Sequence, residues 1–200
     1  MLDTEFERWS RLFSSPNFHY GYAPGPVARR AVRYHRPLRH CGGTALDVGC
    51  GEGQDVAYLV DSHYEVTGLE WTREGIAKTR RLLAEKDRKA RLIQEDLRDW
   101  HSEESFDLVL SINSLQFLGA DAPDELDKVK SLVAPGGVIG LSVFAREDEF
   151  ENPLEGSIYR WTFDEILANF SDWQPFEAAR LWQWGGAGPQ PFITLIAARL

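Results

Sequence analysis

The chain has 200 residues, 43% hydrophobic and 26% charged, values typical of one globular domain that builds its own core. Its formal net charge of −9 argues against a nucleic-acid partner, because phosphate binding needs a positive field. The start of the sequence is acidic, no stretch has the ~18 apolar residues of a membrane span, and no Cys or His spacing suits a metal. We therefore expect a cytoplasmic monomer or homodimer with no membrane, metal or nucleic-acid partner.

The first forty residues are predicted to form a helical cap. Apolar residues at helical spacing predict a helix over residues 3–13, which should end at the breaker residues of segment 14–17. Residues 18–26 are rich in aromatic residues, glycine and proline and predict an ordered loop, and a basic helix is expected over 26–39. The chain is thus predicted to be a single domain, with a cap at 1–40 and a core at 41–200.

From residue 44 onward, strands and helices alternate. Strands are predicted at 44–48, 65–69, 90–94, 106–112 and 138–144, with helices at 53–61, 73–86 and 121–133 and a turn at 135–137. Thr162 and Glu165 form a capping-box pattern that opens another helix. Two last strands are expected near 175–183 and 191–198. This order indicates a doubly wound α/β fold with a mostly parallel, seven-stranded sheet and helices on both faces. The last two strands should be antiparallel neighbours at one edge.

The strongest motif follows the first of these strands. In the sequence Asp-Val-Gly-Cys-Gly-Glu-Gly of residues 47–53, a strand feeds a glycine-rich turn that opens a helix, so a ligand can lie against bare main chain. A tight turn without a ligand is the alternative. The spacing differs from the Gly-x-Gly-x-x-Gly of dinucleotide sites. Asp47, just before the glycines, would repel a pyrophosphate and suits a cationic amino group or sulfonium.

Further acidic residues end the next two strands. Glu70 can accept hydrogen bonds from ribose hydroxyls, and Trp71 can stack on an adenine face, although a strand-end acid can also be merely solvated. After the third strand, the Asp96 carboxylate is a candidate acceptor for an adenine amino group and the Leu97 main chain a candidate donor to a ring nitrogen. An Asp96 that only forms a turn is the alternative.

These features together resemble the class I S-adenosylmethionine-dependent methyltransferases. The resemblance covers about residues 40–145 and rests on residues 45–53, Glu70, Asp96, 106–111 and 132–137. It implies a Rossmann-like sheet of seven strands with the last antiparallel, S-adenosylmethionine as cofactor, and S-adenosylhomocysteine as product. It also implies that Asp47 and the glycines hold the methionine part, Glu70 the ribose and Trp71 the adenine. The full cofactor set is Tyr20, Asp47, Gly49, Cys50, Gly51, Gly53, Glu70, Trp71, Asp96, Leu97, Ser111 and Leu115.

The two ends of the chain carry a finer resemblance. Segments 12–21 and 168–199 are similar to the small tellurite-resistance and thiopurine-type methyltransferases. That group has a His-Arg pair before its final strands, where this chain has Leu-Trp-Gln-Trp at 181–184. The departure speaks against an oxyanion or soft-metalloid acceptor.

Methyl transfer from a sulfonium mainly requires alignment of donor and acceptor, and a base is needed only for a protonated acceptor. His19 is a candidate base, with a plain loop histidine as the alternative. Tyr20 is expected either to close over the cofactor or to pack within its loop. Arg146 is expected either to bind an anionic acceptor or to be solvated. The acceptor pocket is predicted over the carboxyl ends of the strands. Its expected lining is Tyr22, Asn113, Gln116, Phe144, Tyr159, Trp182 and Trp184, where packing of the two tryptophans against the helix near 162–170 is the alternative.

The sequence thus predicts a methyltransferase that acts on a small molecule. A non-catalytic S-adenosylmethionine-binding or scaffold protein of the same fold is the first alternative, because the motifs bind cofactor without performing chemistry. A nicotinamide-dependent oxidoreductase is the second, and the glycine spacing and Asp47 argue against it.

Overall fold

A computed structural model describes residues 4–36, 42–147, 158–185 and 188–200, without the side chains of residues 183–188. The strands are β1 (Gly43–Val48), β2 (Tyr64–Glu70), β3 (Arg91–Gln94), β4 (Phe106–Ile112), β5 (Val133–Phe144), β6 (Trp173–Gly185) and β7 (Gly188–Arg199). They form one seven-stranded sheet in the order β3-β2-β1-β4-β5-β7-β6. Strands β1 to β5 pair in parallel, whereas β7 is antiparallel to β5 and β6. The predicted sheet and its antiparallel edge are confirmed.

Six α-helices surround the sheet in the described part of the chain. They are α1 (Glu5–Phe13), α2 (Pro26–His35), α3 (Gln54–Asp61), α4 (Arg73–Ala84), α5 (Ala122–Ser131) and α6 (Phe163–Asn169). The predicted capping box of α6 is present, since the Glu165 amide donates to Thr162 Oγ1 at 3.1 Å and the Thr162 amide to Glu165 Oε2 at 2.6 Å. No described helix is long and apolar enough to cross a membrane.

The core has two layers, one on each face of the sheet. Successive residues of a strand point to opposite faces, so Leu46 and Val109 pack toward α5 and α6. Their neighbours Ala45 and Leu108 pack toward α2 and α3. Helix α2 contacts β4, β5 and β7 and is therefore a layer of the core, although the sequence grouped it with the cap. Helix α1 instead packs on α4, beyond the carboxyl ends of the strands.

Three local features differ from the predicted elements. A 3₁₀ helix spans Leu115–Asp121, where no element was predicted. Strand β5 begins at Val133, so the segment 135–137 is an irregularity of its register with β4 rather than a separate turn. Residues 37–39, the predicted end of α2, lie outside the described residues.

Candidate active site

A cavity opens at the carboxyl ends of β1 to β4, bordered by α1 and the segment that joins α1 to α2. Its lining includes two chemically distinct groups of residues. We call Asp47, Asp55 and Glu70 the acidic wall, and Trp9, Phe13, Tyr20 and Phe117 the aromatic wall. The other lining residues are Val48, Gly49, Cys50, Gly51, Glu52, Gln54, Leu69, Trp71, Glu95, Leu97, Ile112, Asn113, Ser114, Leu115 and Leu118.

The glycine loop brings backbone to the edge of this cavity. The amides of Gly49 and Cys50 donate to the carbonyl of Leu69 at 2.8 and 3.0 Å, which ties the loop to β2. Gly51 has φ +53°, a left-handed conformation that favours glycine. A β-carbon there would lie 3.3 Å from Cζ of Phe13, so the loop also touches the cap. Glycine at this position thus serves both the turn and the close approach of α1.

The acidic wall combines one carboxylate without a partner and two that are held. Asp47 is 3% exposed, and its side chain makes no hydrogen bond to the residues that the structure describes. Asp55 Oδ1 accepts from the Gly25 amide at 2.6 Å. Glu70 Oε1 accepts from the Thr72 hydroxyl and amide at 2.6 and 2.8 Å. The wall is therefore preorganised except at Asp47.

Burial and crowding disfavour negative charge at this wall. Burial, followed by repulsion from Asp55 and Glu70, raises the pKa of Asp47 well above its ordinary value. Burial raises the pKa of Asp55 to about 6, and it also raises the pKa of Glu70. The Cys50 thiol has a strongly raised pKa for the same reasons, burial first, and is not a nucleophile at neutral pH. A cation in the cavity would relieve this repulsion.

The aromatic wall is a set of rings centred on Trp9. Its indole lies edge-on to Phe117 with centroids 4.9 Å apart and contacts the rings of Phe13 and Tyr20 at 5.5 and 6.4 Å. The Arg8 guanidinium stands 5.2 Å from the Trp9 ring centroid. Partial burial and the charge of Glu52 raise the pKa of Tyr20 to about 12, so its phenol stays protonated. This wall supplies apolar area and a hydroxyl donor but no base.

Most of the predicted cofactor residues lie on the cavity: Tyr20, Asp47, Gly49, Cys50, Gly51, Glu70, Trp71, Leu97 and Leu115. Asp96 does not, and its neighbour Glu95 lines the cavity instead. The Asp96 carboxylate accepts three hydrogen bonds from Arg98, at 2.6 to 3.0 Å. Although burial opposes it, these bonds lower the pKa of Asp96. The carboxylate thus forms an ion pair and stabilises a turn in this structure.

Gly53 and Ser111 also lie outside the cavity lining. Gly53, at φ +87°, precedes α3, and a β-carbon on it would lie 2.6 Å from the side chain of Thr79. It therefore permits the packing of α3 on α4. The Ser111 hydroxyl is fully buried and hydrogen-bonds the Ser114 hydroxyl at 3.0 Å, which fixes the end of β4.

Of the predicted acceptor residues, the structure places only Asn113 on the cavity among those whose side chains it describes. Asn113 has φ +55°, an uncommon conformation for a residue other than glycine. Its amide donates to the Ser142 carbonyl at 2.8 Å, and its side-chain Oδ1 accepts from the Ser142 hydroxyl at 2.7 Å. Two bonds to β5 thus hold this residue at the end of β4.

The structure places three other predicted acceptor residues outside the lining of this cavity. Gln116 is fully buried, and its main-chain carbonyl accepts a hydrogen bond from the main-chain amide of Tyr159 at 2.8 Å. The Tyr159 ring packs on Trp161 and the Phe144 ring lies between Phe117 and Phe192. In the described structure these three residues are not part of the lining of this cavity.

Residues predicted at the outer rim are exposed or paired elsewhere. Tyr22 is 62% exposed and packs on Phe18, and Trp182 is 54% exposed on the edge strand β6. The side chain of Trp184 lies outside the described residues. The candidate base His19 is exposed and is not part of the cavity lining. Arg146 is paired with Glu165 at 2.7 Å.

Sequence reasoning missed several lining residues, above all Glu52, Asp55 and the rings of Trp9, Phe13 and Phe117. The signal for Glu52 was a charged residue placed between two glycines. For Trp9 and Phe13 the helical spacing was visible, but spacing does not show which way a helix lies over a sheet.

The comparisons with known proteins agree with this architecture. Residues 45–137, just under half of the chain, match a family model described as a methyltransferase domain, in agreement with the resemblance that the motifs carry. The match begins within β1, includes β2 to β4 and contains all of the acidic wall.

Particular relatives share the fold at low identity. The chain is similar to the trans-aconitate 2-methyltransferase of Escherichia coli, with 30% identity over 100 residues, which are 48% of this chain and 37% of the relative. The chain thus spans little more than a third of the curated relatives it matches. TehB of Haemophilus influenzae superposes with a TM-score of 0.76 at 19% identity, over 98% of this chain and 67% of TehB.

A second similar structure contains two bound ligands. It is a Burkholderia thailandensis methyltransferase with bound 1,6-didemethyltoxoflavin and S-adenosylhomocysteine. It superposes with a TM-score of 0.67 at 20% identity, over 87% of this chain and 78% of the other.

Proposed function

We propose that this protein is an S-adenosylmethionine-dependent methyltransferase for a small-molecule acceptor. The observation that carries the proposal is Asp47, a buried carboxylate without a partner in the described structure, which faces a cavity beside a glycine loop. A buried charge needs a partner, and the amino group and sulfonium of S-adenosylmethionine are cations of suitable size. The raised pKa values of Asp47 and Asp55 fit a wall that awaits positive charge.

The remaining lining fits the other parts of the cofactor. Glu70 would accept from the ribose hydroxyls, since its carboxylate is already oriented by Thr72. Trp71, Leu97 and Leu115 offer apolar surface for adenine beside the carboxylate of Glu95. The bound cofactor supplies a methyl group that positive sulfur has already activated. We propose in-line transfer, in which the protein aligns donor and acceptor and excludes water.

The acceptor would lie against the aromatic wall and Asn113. Rings at Trp9 and Phe117 favour an apolar, flat molecule. The protonated Tyr20 is a hydrogen-bond donor rather than a base, so an acceptor that is already nucleophilic at neutral pH fits best. The aromatic heterocycle held by the Burkholderia enzyme supports this choice. We also propose, as expected from the sequence, that the protein is cytoplasmic and is a monomer or a homodimer.

Two measurements test the proposal. Calorimetry should show binding of S-adenosylmethionine and S-adenosylhomocysteine, and neither bound by the intact chain would refute it. Transfer of labelled methyl groups should then be screened over flat heteroaromatic amines and thiols, with trans-aconitate as the anionic comparison. Transfer to trans-aconitate alone would keep the activity but overturn the acceptor class. Binding without transfer to any acceptor would favour the scaffold alternative.

A further inference from the structure

A buried ion pair lies beside the cavity and has no part in the proposed chemistry. Glu52, in the glycine loop, and Lys78, on α4, approach to 2.6 Å, and their side chains are 0% and 6% exposed. Burying two charges costs free energy unless additional hydrogen bonds satisfy them. The other partners of the pair therefore indicate its role.

Those partners all belong to one short piece of the cap in the described structure. Glu52 Oε1 accepts from the amide of His19 and Oε2 from the amide of Tyr20, both at 2.9 Å. Lys78 Nζ donates to the carbonyl of Asn17 at 2.6 Å. We call residues 17–20 the clamped segment. Although burial opposes it, the bonds from Lys78 and the two amides lower the pKa of Glu52, so it stays charged at neutral pH.

Helix α4 strengthens this attachment. The Arg81 side chain donates to the Pro16 carbonyl at 2.9 Å, and its guanidinium lies 4.7 Å from the ring centroid of Phe18. Lys78 Nζ lies 5.5 Å from the same ring. The clamped segment is thus held between the glycine loop and α4 without regular secondary structure of its own.

We propose that Glu52 and Lys78 are positioning residues that clamp this segment to the cofactor loop, place Tyr20 on the cavity and couple cofactor binding to closure of the acceptor side. The proposal rests on the proposed function. Glu52 belongs to the loop that would surround the methionine part, and it binds the backbone that carries Tyr20. A ligand that orders the loop therefore orders the segment, and closure of the segment retains the ligand to the same degree.

The chain provides direct reporters of the clamp. The amides of His19 and Tyr20 donate to Glu52, so their hydrogen exchange measures whether the clamp is closed. The amide of Gly25 donates instead to Asp55 at 2.6 Å and serves as a reference in the same part of the cap. A merely structural role would raise exchange in the sheet as well, whereas clamp opening raises it at these two amides.

The test is hydrogen exchange by NMR on the full chain, with and without S-adenosylhomocysteine. The variant combines Glu52→Leu with Lys78→Met, which removes both charges and both acceptor oxygens and leaves neither charge stranded. In the native chain the ligand should slow exchange at His19 and Tyr20 roughly tenfold or more. In the variant both amides should exchange fast with or without ligand, while Gly25 and the strands keep their protection. The ligand should bind about three- to tenfold more weakly.

A matched control removes the exposed pair Arg91–Glu104, whose side chains are each 57% exposed, by Arg91→Gln with Glu104→Gln. It should leave the exchange of His19 and Tyr20 unchanged. Phe18→Ala, which loosens the segment and leaves the Glu52–Lys78 ion pair in place, should give the same change in smaller degree and replaces the double variant if that one does not fold. Ligand-induced slowing that persists in the variants, or equal loss of protection in the sheet, would overturn the clamp.

Failure of the clamp and failure of the proposed function are distinguishable. If the native chain binds no S-adenosylhomocysteine, the proposed function fails. The ligand-free exchange rates of His19 and Tyr20, compared between native chain and variant, then still decide whether Glu52 and Lys78 hold the segment.

Discussion

The two walls of the cavity are built in different ways. The acidic wall stands on β1, β2 and the first turn of α3, which a continuous hydrogen-bonded sheet and one glycine loop hold in place. The aromatic wall comes from α1, the following loop and the 3₁₀ helix, which meet through side-chain rings. Backbone pairing therefore fixes the side proposed for the cofactor, whereas side-chain packing shapes the side proposed for the acceptor.

The walls also differ in energy. Apolar burial favours the aromatic wall, but the acidic wall crowds carboxylates whose pKa values are raised by burial. A site that is unfavourable when free and relieved by a cation is typical of function rather than stability. Changes to the acidic wall should thus affect ligand binding and stability in opposite directions, and this contrast can be tested.

The largest effect is expected from Asp47→Asn. A hydrogen bond to a charged group contributes about 1.5–3 kcal/mol, so the affinity for S-adenosylmethionine should fall roughly 10- to 100-fold. Because the substitution removes a repelled carboxylate, the ligand-free protein should melt at a higher temperature. Calorimetry and thermal melting measure the two changes. Lower stability together with unchanged affinity would contradict the role given to this wall.

Gly51→Ala acts where the two walls meet. A left-handed conformation costs a residue other than glycine about 1–2 kcal/mol, and the new β-carbon would press on Phe13 at 3.3 Å. Affinity for S-adenosylhomocysteine should fall about tenfold. Gly136→Ala is the matched control, since Gly136 has φ +74° away from the cavity. It should lower the melting temperature yet leave affinity unchanged.

A smaller effect is expected from pH, which should change both the stability of the free protein and its affinity for S-adenosylmethionine through Asp55 in the acidic wall. The folded pKa of Asp55, about 6, lies above its usual 3.8, so the free protein loses stability as pH rises through this interval. A bound cation favours the charged carboxylate, so affinity for S-adenosylmethionine should rise with pH, up to about tenfold per pH unit below 6. Thermal shifts from pH 5 to 8 measure this. In Asp55→Asn the dependence should weaken, and an equal slope in both proteins would remove Asp55 as its source.

The acidic wall could be predicted from the sequence better than the aromatic wall. The positions of Asp47, Gly51 and Glu70 at the cavity could be predicted from the sequence because strand ends and glycine spacing fix where a backbone turns and where a side chain projects. The sheet with its antiparallel edge was predicted for similar reasons, since alternation of strands and helices leaves few topologies. The ion pair of Asp96 with Arg98 was not predicted, because it depends on a side-chain geometry that sequence spacing does not reveal.

The acceptor side was harder to predict because it depends on distances between elements. Trp9 reaches the cavity through the placement of α1, which the apolar spacing of a helix does not determine. Trp182 was expected there, but β6 stands four strands from β1 in the sheet order. At about 4.8 Å per strand, this places it roughly 19 Å away. The 3₁₀ helix, which brings Phe117 to the cavity, includes Gly119 at φ +60°, and a kink of this kind has no periodic pattern.

The smallest effect is expected from Trp182→Ala, which sharpens the boundary of the site. Since Trp182 is 54% exposed at the far edge of the sheet, its loss should change the free energy of unfolding by about 0.5 kcal/mol or less. Affinity for S-adenosylhomocysteine should stay within about twofold.

Trp9→Ala, which removes the ring at the centre of the aromatic wall, should slow methyl transfer to an identified acceptor far more than it weakens cofactor binding. If Trp182→Ala slowed transfer as strongly as Trp9→Ala, the acceptor site would have to extend across β5 and β7, and the acceptor would be larger than the cavity between the two walls.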